Sequence, residues 1–257
     1  MVGGVSTFMK IFLISLIAWL GVISARADFD ELLKSGDVFD AKFQSEQALK
    51  YYLPAEKLEP KNAALLVKIS RQYALRMNDL PKEADKIASC RTGLTYAERA
   101  AFIAPNQCDP HLSVAICLGK LTPFLGNKER VEASRQIKVS ADKAVKFDPK
   151  NDYAWHILGR WHQSLANIGG VTRMFARAIY GGLPDASNET AVECFKKAMA
   201  LNPNRLVHVV ELGRTYAMMG RKAEAKKYLE MGLAMPNKDK DDAETKQRGK
   251  ASLKEIS

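Results

Sequence analysis

Five prolines frame this 257-residue chain, each preceded by a small residue at nearly fixed spacing. The sets are Tyr52, Ala55 and Pro60; Ala97, Ala100 and Pro105; Ala141, Ala144 and Pro149; and Phe195, Ala198 and Pro203. Leu229, Gly232 and Pro236 form a degenerate last copy. A turn bearing Lys or Asn follows each proline, as in Pro60-Lys61-Asn62 and Pro149-Lys150-Asn151. Proline has no backbone N–H and clashes with the preceding turn, so it cannot continue a helix. The small residue lets the helix before it approach a neighbour closely. A second apolar pattern at helical spacing then begins: Leu66, Ile69 and Tyr73; Trp155, Leu158, Gly159 and His162; Val209, Leu212, Gly213 and Tyr216, with Leu32, Gly36 and Phe39 as an early version. The pattern predicts five helical hairpins from Phe29 to about Met235. The prolines are 45, 44, 54 and 33 residues apart, so the central helices are expected to be longer by about ten residues per hairpin, a period that means stacked repeats. Breaks are expected at Asn78–Pro81, Thr122-Pro123 and Gly169-Gly170.

These units resemble the tetratricopeptide repeat, a helix–turn–helix of about 34 residues. The expected fold is therefore all-α, a right-handed helical solenoid of about five units with elongated central helices. Residues 28–236 form the repeat domain, and 237–257 form a charged cap or tail. The charges of that tail nearly balance, which reads as a solvated face. One succession is more specific. Ala154-Trp155-His156-Ile157-Leu158-Gly159-Arg160-Trp161 leads to Ile179-Tyr180-Gly181-Gly182-Leu183-Pro184, then Phe195-Lys196-Lys197-Ala198 and Leu212-Gly213-Arg214-Thr215-Tyr216. It is similar to the regulator of microtubule dynamics family, best from Ala144 to Pro236 and extending back to Asp37. The resemblance implies a non-enzymatic adaptor, associated in animals with microtubules and in one branch with membrane contact sites and phospholipid.

The N-terminus has a different character. Lys10 precedes an apolar run, Ile11–Ile23, which is shorter than the roughly 20 residues of a membrane span. Ser24-Ala25-Arg26-Ala27 places small residues three and one before Asp28, the layout of a secretory signal peptide over residues 1–27. Export to a periplasm or to the outside is expected, with an uncleaved membrane anchor as the alternative. An exported chain is separated from cytoplasmic microtubules, so that partner applies only if the chain is cytoplasmic.

Aligned on their prolines, the units place Arg71, Arg160 and Arg214 at equivalent points, each two residues after the apolar Ile69, Leu158 or Leu212. They are expected on the concave side, with Tyr153 and His156 on the Arg160 face and Lys120 a weaker neighbour. Ile116 interrupts the stripe in the third unit. Guanidinium groups grip carboxylates and phosphates bidentately, so the expected partner is an acidic or extended protein segment. Pairing of the same arginines with local acids remains equally open. A basic apolar stretch, Thr172–Tyr180, carries Arg173, Phe175 and Arg177 as a candidate contact for anionic lipid or a partner, or else packs inside the solenoid.

No phosphate-binding glycine loop, nucleophile elbow or zinc-binding His-Glu-x-x-His helix occurs, and no cofactor or metal is expected. Cys108, His111 and Cys117 lack a clear fourth ligand. The four cysteines read as buried apolar residues, Cys90 with Cys117 being the least strained pairing. Net charge is +10, yet the cations are spread among acids and no recognition motif appears, so nucleic acid is not an expected partner. Sequencing of the mature N-terminus should begin at Asp28; a start at Met1 would favour the anchor.

Overall fold

The computed structural model describes residues 26–170, 173, 174, 177 and 185–257. All of the expected signal peptide except Arg26 and Ala27 lies outside them. The described residues form helices without strands. Helix α1 covers residues 26–40, followed by α2 (Ser45–Leu58), α3 (Ala63–Arg76), α4 (Glu83–Ile103), α5 (Cys108–Leu121) and α6 (Asn127–Phe147). The second half has α7 (Asp152–Ala166), α8 (Asn188–Leu201), α9 (Leu206–Met218), α10 (Lys222–Ala234) and α11 (Asp242–Ile256). Pro60, Pro105, Pro149, Pro203 and Pro236 each fall in the break after the second helix of a pair. The turn residue Asn62 accepts from the Leu65 N–H, and Asn151 accepts from the N–H groups of Tyr153 and Ala154. In the second and fourth units the Asn after the proline is thus the helix N-cap, worth about 1 kcal/mol over alanine.

Packing follows the same frame. Ala55, Ala100, Ala144 and Ala198 are completely buried, as are Tyr52, Ala97, Ala141, Phe195 and Leu229. The core is a chain of small clusters along the stack, as expected when each repeat buries its apolar face only against its neighbours. The first helices of units two to five, α3, α5, α7 and α9, lie side by side as an inner layer. The second helices pack behind them.

The helices α4 and α6 are the elongated ones, with 21 residues each, and short 3-10 turns at Met77–Asp79 and Thr122–Phe124 mark the expected breaks. The fourth unit differs from the expectation. Its helices α7 and α8 have ordinary lengths of 15 and 14 residues, and the extra chain lies in the connection between Ala166 and Asn188. Ser187 ends that connection by capping α8 through the Thr190 N–H. The C-terminal residues form α11, which packs on α9 and α10. The four cysteines are buried and free. No helix of the described residues is long and apolar enough to cross a membrane.

Two glycines test the packing. A Cβ on Gly213 would lie 2.8 Å from the Leu229 backbone nitrogen and 2.9 Å from its Cγ, whereas one on Gly119 meets nothing within 4 Å. Overpacking costs about 1–3 kcal/mol, while Gly-to-Ala in an open helix gains about 1 kcal/mol. Gly213→Ala should therefore lower the thermal midpoint and Gly119→Ala should raise it, each by a few degrees. Equal behaviour of the two variants in a melting experiment would contradict this packing.

Candidate functional site

The inner layer contains one acid removed from water. Glu211 of α9 is completely buried. Its carboxylate meets Arg160 of α7 at 2.6 Å, Arg214 of α9 at 2.8 Å and Arg248 of α11 at 3.5 Å. Burial alone pushes a carboxyl up, but the three guanidiniums outweigh it and hold Glu211 down at about 2. Gln163 extends the network: its amide donates to Thr215 Oγ1 at 2.9 Å, and its carbonyl accepts from Arg160 at 3.1 Å. One carboxylate thereby ties together α7, α9 and α11.

Arg160 and Arg214, equivalent by repeat register, thus converge on the same internal acid. Arg214 is mostly covered, and Arg160 keeps about a third of its side chain exposed. Arg71 does not join them. It is half-exposed and pairs with Asp40 of α1 at 3.2 Å.

His156 and Tyr153 also part company with the expected open surface. His156 is buried, stacks on Tyr153 with ring centroids 5.2 Å apart, and meets His208 with 3.1 Å between the Nδ1 atoms. Burial, followed by the His208 imidazole and then the neighbouring guanidiniums, lowers His156; burial also lowers His208 despite its carboxylate partner. Both rings are neutral at pH 7. The His208 Nε2–H donates to Asp152 at 2.8 Å, so His208 Nδ1 accepts and His156 Nδ1–H donates. His156 is therefore a satisfied internal group. Tyr153 is half-buried under the Arg205 guanidinium, 5.2 Å from its ring centroid, and burial pushes its phenol up to about 12.

Lys120, at the end of α5, and Arg205, in the turn before α9, complete the cationic inner surface. Lys120 meets Asp241 at 3.2 Å, and Arg205 meets Asp152 at 2.8 Å and Asp239 at 3.4 Å. Arg205 was not apparent from repeat register because it occupies the turn position where the second and fourth units carry the capping Asn. Arg248 was hidden in the tail with its nearly balanced charges. Arg173 donates to the carbonyls of Leu165 and Ala166, both at 3.3 Å, and so closes the end of α7. Arg177 is exposed, and Phe175 lies outside the described residues. Among the described residues no group of His, Cys, Asp and Glu is arranged to hold a metal.

A family profile described as Regulator of microtubule dynamics protein 1-3 matches residues 30–257. The chain belongs to that family. Regulator of microtubule dynamics protein 1 of Mus musculus is 24% identical over 254 residues, covering 94% of this chain and 83% of the relative. Regulator of microtubule dynamics protein 3 of Rattus norvegicus is 25% identical over 179 residues, covering 69% of this chain and 38% of the relative. Among solved structures, a thermophilic tetratricopeptide-repeat protein of Thermus thermophilus superimposes with a TM-score of 0.62 at 16% identity, over 88% of this chain and 98% of that one. The pilus biogenesis factor PilW gives 0.52 at 16% identity, over 89% and 90%. These likenesses agree with the tetratricopeptide-like solenoid built above for this family member.

The Glu211 cluster makes a pH prediction. Its folded-state value lies below the ordinary 4.5, so its contribution is complete above about pH 4.5 and is lost as pH falls towards 2. Glu211→Gln should destabilise the fold by about 3–5 kcal/mol at pH 7, because three guanidiniums lose their counter-charge. The gap between variant and native chain in denaturant unfolding should close as pH approaches 2. A gap that does not depend on pH would contradict the assignment.

Proposed function

We propose that this chain is a non-enzymatic interaction scaffold of the regulator of microtubule dynamics type, and that its concave face holds an acidic stretch of a protein partner. Family membership and the tetratricopeptide-like fold support the scaffold, since stacked helical repeats use the hollow side of the curve as a binding surface. The acidic partner is supported chiefly by one observation. Successive inner helices carry cations: Arg71 on α3, with 50% of its side chain exposed, Lys120 on α5, largely covered and paired with Asp241, and Arg160 on α7, about a third exposed. Guanidinium groups bind carboxylates through paired hydrogen bonds, and the ammonium adds a point charge.

The relatives' names speak of microtubule dynamics. For this chain a microtubule partner requires a cytoplasmic location, while the signal-like residues 1–27 favour export to a periplasm or the outside, or anchoring at a membrane. A phospholipid surface is the second reading. It is favoured by Met174, which is 69% exposed in the basic stretch with Arg173 and Arg177.

A pull-down with the full chain from its native compartment tests the first reading. Arg71→Glu and Lys120→Glu are the informative variants, because Arg160 and Arg214 also neutralise Glu211 and their loss perturbs the fold. Capture of a protein that weakens with salt and is reduced about tenfold in either variant is expected, roughly 1.4 kcal/mol. Unchanged capture in both variants would discard the cationic face. Co-sedimentation with phosphatidylserine vesicles at low salt, without such protein capture, would favour the lipid reading.

A further inference from the structure

The turn between α10 and α11 lies in an unusual place. In a stack of repeats each unit touches only its neighbours. Residues Asp239, Lys240 and Asp241 follow the fifth unit, yet they reach most of the others. Asp239 meets Arg205 at 3.4 Å. Asp241 meets Lys120 of the third unit at 3.2 Å and also accepts from the Asn78 amide in the second. Lys240 pairs with Asp79 and donates to the Phe43 carbonyl in the first unit, at 3.4 Å for the latter. These contacts lay the turn against the loop ends of the first and second units, the end of the inner helix α5 and the turn before α9. Two anchors hold it there. The buried Asp242 carboxylate accepts from the N–H groups of Lys238 and Asp239, both at 2.7 Å, and Arg248 of α11 joins the Glu211 cluster.

We propose that this turn occupies the partner site as an internal stand-in: the surface recognises an acidic protein segment with carboxylates two residues apart, which binds Lys120, Arg205 and Asn78 by displacing Asp239 and Asp241. The proposal rests on the scaffold reading above and deepens it by naming the acid pattern and the contact that regulates access. Charge complementarity carries it. Lys120 and Arg205 face the two aspartates, and the intervening Lys240 is matched by Asp79. The aspartates are half-exposed at the rim, so release of the turn uncovers the cations without opening the apolar clusters. The tether keeps the turn at a high effective concentration, so an outside segment competes at a disadvantage until the turn is released.

The test uses the full chain and a fluorescein-labelled peptide of alternating Asp and Ser, read by anisotropy. The double variant Asp239→Asn/Asp241→Asn, with helix content checked by circular dichroism, should bind the peptide roughly tenfold or more tightly than the native chain. Adding Lys120→Glu to that variant should remove the gain. In the unmutated chain, saturating peptide should speed tryptic cleavage after Lys240, whose side chain is now pinned. Equal affinity of native chain and double variant, with no change in cleavage, would overturn the self-occupancy while leaving the cationic face intact. Absence of binding in every form would overturn the acidic-partner reading itself.

Discussion

A carboxylate without water needs counter-charge from the protein, and Glu211 draws it from three helices at once. That requirement fixes more than one side chain. Arg160 places α7 against α9, and Arg248 brings the C-terminal helix onto the end of the stack. Arg214 faces the acid from its own helix, one turn away. Removal of Glu211 leaves three guanidiniums without their shared counter-charge in a covered site, which is costlier than the pairing is stabilising. The cluster links two inner helices to the C-terminal one, and the turn that contacts the other units leads directly into that helix.

The local frame of the fold was legible because it is covalent and short-ranged. Pro60, Pro105, Pro149, Pro203 and Pro236 end helices for reasons internal to proline, and Ala55, Ala100, Ala144 and Ala198 are small because another helix covers them completely. Neither signal requires knowledge of distant chain. The longer spacing between Pro149 and Pro203 was visible too. Spacing alone does not say whether extra residues lengthen a helix or a connection, and in the fourth unit they lie in the connection between α7 and α8.

The candidate site was legible in register but not in role. Arg160 and Arg214 were recognisable as equivalent positions, and the structure brings them together. What they meet is Glu211, which sits between the apolar Val209 and Leu212 and gives no periodic signal of its own. His156 shares the helix of Arg160 but turns inward, towards His208 and Asp152. The contacts of Lys240 and Asp241 join residues more than a hundred positions apart, and balanced charge in the tail is as compatible with solvent as with such pairing. Each of these inner-face cations is paired with an acid of the chain; they differ in exposure, Arg71 keeping half of its side chain in solvent while Lys120 and Arg214 are mostly covered.

The most direct measurement is a double-mutant cycle between Glu211 and Arg248, read as hydrogen-exchange protection of the α11 amides. If the buried acid holds the C-terminal helix, Arg248→Met should lower that protection in the native background and have little further effect alongside Glu211→Gln, giving a coupling of about 1 kcal/mol or more. Strictly additive effects would mean that α11 is held without the Glu211–Arg248 contact, and the account of how the buried acid organises the inner face would fail.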